Sequence, residues 1–119
     1  MEKVIQYDGA TITVRRGNVR SRLQQGRVYN RMELTEDIEE DAFLEINLFA
    51  RLLTQVSIDG KCDLAWPTIG SDKETLQQAM ETFMTSDKPI YNEIVDALYE
   101  IDSDDYNDPE LRAEADPKD

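Results

Sequence analysis

The stretch IEEDAFLEINLFARLLTQVSI, residues 38–58, decides how this chain is read. It contains neither glycine nor proline, and Ile38, Ala42, Ile46, Phe49, Leu53 and Val56 recur at steps of three and four, which sets them along one face of an α-helix. Leu44, Leu48 and Leu52 form a second row beside the first. An apolar face this broad suits a core helix covered from two sides better than a surface helix with a narrow seam. Glu36, Asp37, Glu39, Glu40 and Asp41 crowd the first turns, where the helix dipole favours negative charge. Ile46, Phe49 and Leu53 are expected deep in the core, and Asp59-Gly60 is expected to end the helix.

Upstream, residues 4–14 read as a β-hairpin. Val4-Ile5-Gln6 and Thr11-Ile12-Thr13-Val14 are its arms, and Asp8-Gly9 is a two-residue turn whose glycine tolerates positive φ. A lone hairpin is marginal, so it must pack on something, with the core helix as the expected support. Gly17-Asn18 then breaks the strand and can cap a helix over 19–32, with Val19, Leu23, Val28 and Met32 as its apolar positions and Gly26 as a weakness inside it. Arg16, Arg20, Arg27 and Arg31 fall near one face of that helix. Such a stripe is either a solvated face or a docking surface for carboxylates, for which the planar guanidinium is suited.

Downstream, residues 59–70 read as a connecting loop in which Pro67 biases Trp66 to extended backbone. Trp66 is expected to plug the core, an exposed anchor for a partner being the other reading. Ser71-Asp72-Lys73-Glu74 matches a capping box, so a helix begins there, with Leu76, Ala79, Met80, Phe83 and Met84 as its stripe. Ser86 or Asp87 caps the next helix, Pro89 sits in its first turn, and Ile90, Ile94, Ala97, Leu98 and Ile101 make its face, with Tyr91 and Tyr99 beside it. From Asp102 the composition changes. Residues 102–119 hold eight acids, two prolines and one leucine, Leu111, and are expected to form a disordered acidic tail after a domain spanning 1–101. The fold class expected is mainly α with a small β-hairpin (α+β): an N-terminal hairpin, then about four helices.

The net charge of −13 is unevenly distributed. Residues 1–31 carry seven bases (Lys3, Arg15, Arg16, Arg20, Arg22, Arg27, Arg31) against two acids (Glu2, Asp8), a net of +5, whereas residues 32–119 carry six bases against 24 acids, a net of −18. An acidic whole argues against nucleic acid as partner. No apolar run of membrane-spanning length occurs, and Met1-Glu2-Lys3 leads into a polar strand instead of an apolar signal core, so a cytoplasmic protein without membrane partner is expected. The chain has no histidine, which removes imidazole bases and histidine metal sites. Its single cysteine, Cys62, lies beside Asp63, an environment that does not favour a thiolate. The five glycines are scattered, leaving no phosphate-cradling loop. The acids Asp102, Asp104, Asp105 and Asp108 do not make an EF-hand loop, because Tyr106, Asn107 and Ala113 stand where a ligand, a glycine and the closing glutamate are needed. No enzyme, cofactor or metal is therefore expected.

The order of parts is a short hairpin, an arginine-bearing helix, a long apolar helix containing FLEINLFARLL (43–53), a loop with Trp66-Pro67, a capped helix, the segment DKPIYNEIVDAL (87–98), and a charged ending. This order resembles the tail assembly chaperones of long-tailed bacteriophages (siphophages) over residues 4–101. The resemblance implies a small chaperone in the host cytoplasm that binds the long, helical tape measure protein and helps tail-tube subunits polymerise around it, with self-association also in view. Under it, Met80, Phe83, Met84, Tyr91 and Tyr99 are the expected lining of an apolar groove where the two last helices meet the core helix, and Arg20, Arg27 and Arg31 the expected contacts to acidic segments. A small virion connector or adaptor and an acidic DNA-mimic inhibitor are the alternatives.

Overall fold

The computed structural model describes residues 2–32, 40–64 and 66–107. Strands β1 (Glu2–Tyr7) and β2 (Ala10–Arg15) form the expected hairpin, in register from Glu2 opposite Arg15 to Tyr7 opposite Ala10. Asp8 (φ 47°) and Gly9 (φ 83°) both take positive φ, the backbone of a tight hairpin turn. Helix α1 (Val19–Arg31) is opened by Asn18, whose side chain accepts from the Ser21 N–H while the Ser21 hydroxyl accepts from the Asn18 N–H, each at 2.8 Å. Helix α2 (Glu40–Gln55) is the core helix, followed by strand β3 (Val56–Asp59), helix α3 (Lys73–Thr85) and helix α4 (Pro89–Asn107). Among the described residues the fold is α+β: four helices with a three-stranded antiparallel sheet in the order β1-β2-β3.

The core helix is shorter than its sequence pattern. Ile38 lies outside the described residues, and the helix stops at Gln55 where 38–58 was expected. Val56 and Ile58 instead pair with Val14 and Ile12 on the free edge of the hairpin, which gives the sheet its third strand. Two β-branched residues two apart fit a pleated strand as readily as the next step of a helix, and the unpaired edge of β2 decides between them. Gly60 ends this strand, not a helix. Its φ is +103°, and a Cβ there would come 2.9 Å from the Gly9 carbonyl oxygen.

Ile12, Val14 and Val56 on the sheet meet Ile46, Phe49, Leu52 and Leu53 of α2, Leu76 and Phe83 of α3, and Ile90, Ile94, Leu98 and Ile101 of α4 in one core. Phe49 is 1% exposed, as its place on the main apolar face requires. Leu44 is exposed, because the second leucine row reaches the core only at its C-terminal end: Leu48 is half-buried and Leu52 fully buried. Gln55 is a buried polar residue bonded at both ends of its amide: the nitrogen donates to the Arg15 carbonyl at 3.0 Å and the oxygen accepts from Gln25 Nε2 at 3.3 Å. It joins the end of β2, α1 and the α2–β3 junction.

Two boundaries move. The N-cap of α3 is Asp72, which accepts from the Thr75 N–H at 2.8 Å, and not the expected Ser71, whose hydroxyl is 3.2 Å from that of Thr68. That bond and the Thr75 hydroxyl hold the Asp72 carboxyl below its ordinary pKa. Helix α4 starts at Pro89 and continues past Asp102 to Asn107, and Asp102 forms an ion pair with Arg51 of α2. Residues 108–119 of the expected tail lie outside the described residues.

Candidate functional site

Helix α1 carries the most unusual surface of the molecule. Its sequence VRSRLQQGRVYNR has four arginines and no acid, in a chain of net charge −13. Arg20, Arg27 and Arg31 are separated by seven and four residues, so they share one line along the helix, as the sequence spacing indicates. Arg31 donates to the Gly70 carbonyl at 3.3 Å. Arg20, Arg22 and Arg27 are exposed and make no ion pair with another described residue.

Between these cations the structure corrects an expectation. Of the four apolar positions read from the sequence, Val28 and Met32 are buried, but Val19 and Leu23 are 75% and 66% exposed. The helix turns only Ser21, Val28 and the following Met32 into the protein, and Val19 and Leu23, one turn apart, stand on the opposite side. The outer face of α1 is thus an apolar ridge, with Arg20 and Arg27 on one flank and Arg22 on the other. No backbone need explains two exposed aliphatic side chains there.

The expected aromatic groove between α2, α3 and α4 is closed. Phe83 and Tyr91 are buried, with ring centroids 5.0 Å apart, and Phe83 also lies 6.5 Å from Phe49. Trp66 covers them from the loop, edge-on to Phe83 at 6.3 Å, and its buried indole N–H has no hydrogen-bond partner among the described residues. Met80 and Met84 are half-buried against this core, while Tyr99 is exposed on α4. The five residues therefore do not line one surface. Asp63 fastens the loop that closes them: it accepts from the Tyr7 hydroxyl at 3.0 Å and from Lys88 Nζ at 2.6 Å. The Lys88 bond, then the Tyr7 bond, hold the Asp63 carboxyl below its ordinary pKa, and the same contacts raise those of Lys88 and Tyr7.

An open groove of about 590 Å³ lies elsewhere, between β1 and α4. Lys3, Val4 and Ile5 form one wall, and Glu93, Asp96, Ala97 and Glu100 the other. Strand β1 is an edge of the sheet, and Val4 is among the exposed large apolar residues. Glu100 pairs with Lys3 at 2.9 Å, whereas Glu93 and Asp96 make no ion pair with another described residue.

No family model, curated protein or solved structure matches this chain. Among the described residues no cluster of acids or cysteine could hold a metal, and no helix is long and apolar enough to cross a membrane. Composition gave no signal for the groove, because its two walls are some 90 residues apart in the chain and only the fold brings them together.

Proposed function

We propose that this chain is a tail assembly chaperone of a long-tailed bacteriophage, a non-enzymatic binding module that takes up the long, helical tape measure protein in the host cytoplasm and assists tail-tube assembly. The observation that carries the reading is the outer face of α1, where Val19 and Leu23 stand exposed between arginines that have no ion-pair partner among the described residues. Such a face matches an amphipathic helix whose apolar stripe is bordered by Asp and Glu. Arginine recognises carboxylates with two parallel hydrogen bonds, so the border fixes register while the ridge supplies apolar burial. The acidic remainder of the surface keeps a complex with an aggregation-prone partner soluble through like-charge repulsion.

The sequence-based lining Phe83 and Tyr91 has no part in this contact, since both serve the core. Co-expression with the long partner tests the proposal. The partner should be recovered soluble and bound with the wild-type chain, and lost with Leu23→Asp. A partner equally soluble with and without this protein would overturn the reading. The second reading, a small virion connector, draws on the acidic groove, and predicts self-assembly without any effect on the long partner's solubility.

A further inference from the structure

We propose that α1 of one copy docks in the β1–α4 groove of a second copy, so that the chain associates head to tail. The two surfaces are complementary in charge, spacing and apolar content. The groove rim presents Glu93, Asp96 and Glu100 at positions i, i+3 and i+7 of α4. The α1 face presents Arg20, Leu23 and Arg27 at i, i+3 and i+7 of its own helix. Seven helical residues rise roughly 10 Å in both, so the arginine line and the acid line match in length, with Glu93 and Asp96 open to the arginines and Glu100 shared with Lys3. Leu23 falls between the arginines and faces the apolar part of the groove lined by Ile5 and Ala97.

The charges also select the occupant. A copy's own acidic groove repels most of the surface of a −13 chain and attracts α1, with its four arginines and no acids. The contact joins two different patches, so each copy keeps a free helix at one end and a free groove at the other. A contact of this kind grows into a ring if its rotation closes and into an open chain if it does not. It holds for a chaperone and for a connector alike, and its failure would leave the solubility test above untouched.

Sedimentation velocity on the full chain at low ionic strength tests it, with two charge-reversed variants on exposed positions: one with Arg20, Arg22 and Arg27 changed to Glu, the other with Glu93 and Asp96 changed to Arg. The wild-type chain should form species larger than a dimer as concentration rises. Each variant alone should lose at least about tenfold in association constant. A mixture of the two should recover association beyond a dimer, because the intact helix meets the intact groove and the reversed helix, now acidic, meets the reversed groove, now basic. Circular dichroism of each variant establishes that it is folded, and Leu23→Asp, which leaves every charge of both patches in place, should weaken association in the same assay. A wild-type chain that stays monomeric at high concentration, folded variants that associate as the wild type does, or a mixture that stays monomeric would each overturn the proposal.

Discussion

At the scale of single residues, two side chains decide how the interior is closed. Phe49 is 1% exposed and meets Phe83 across the core. Removing its ring leaves a void that neighbours on three helices cannot fill, and Phe49→Ala should cost about 3–5 kcal/mol in denaturant unfolding. Asp63 is different in kind, because its two bonds lie at the surface and hold a loop. Its carboxyl is depressed below the ordinary range, so its contribution to stability is present above about pH 4 and is lost as pH falls through the lower folded-state value. Lys88 and Tyr7 are raised, so their contributions are present below about pH 10 and are lost as pH rises through their folded-state values. The difference in melting temperature between wild type and Asp63→Asn should therefore be level across neutral pH and shrink at both the acid and alkaline ends. A difference that grows on acidification would contradict the clamp.

At the scale of elements, the parts with local signals were readable and the parts made by pairing were not. Asp8-Gly9 announces its hairpin, and Asn18 and Pro89 announce α1 and α4, because turns and helix ends are set by the residues within them. Strand β3 has no such signal. Gln55-Val56-Ser57-Ile58 follows the helix without a glycine or proline, and Val56 even continues the apolar steps of three and four. What turns it into a strand is the free edge of β2, over 40 residues earlier in the chain. Gln55 stands at that change, and replacing it with Leu should cost about 1–3 kcal/mol, since the Arg15 carbonyl and the Gln25 amide both lose their partner. Thermal unfolding of Gln55→Leu beside the wild type measures this cost, the two side chains being close in size. The arginine line of α1 was visible in the spacing, but the exposure of Val19 and Leu23 was not, because an aliphatic residue in a weak helical pattern reads as core by default.

At the scale of the whole molecule, one helix is offered two kinds of partner, and they exclude each other. The outer face of α1 cannot hold an acidic amphipathic helix while it lies in the groove of a second copy. A synthetic peptide helix with a leucine stripe bordered by glutamates should therefore dissolve the self-associated state, and the peptide's apparent affinity should fall as the protein concentration rises, by mass action. Salt separates the contributions. Charge contacts at the exposed rim weaken as the Debye length shrinks below roughly 10 Å, whereas burial of Val19 and Leu23 persists. Raising the salt should then weaken binding of the glutamate-bordered peptide without abolishing it, and should leave binding of a peptide with glutamine in place of glutamate unchanged. Arg20→Glu with Arg27→Glu should reduce binding of the first peptide chiefly at low salt, while Leu23→Asp should reduce binding of both at every salt concentration. Fluorescence anisotropy of the labelled peptide, read beside sedimentation of the protein, follows release of one contact and formation of the other in the same solution. A peptide that binds without shifting the sedimentation of the self-associated protein would mean that the two contacts use different faces.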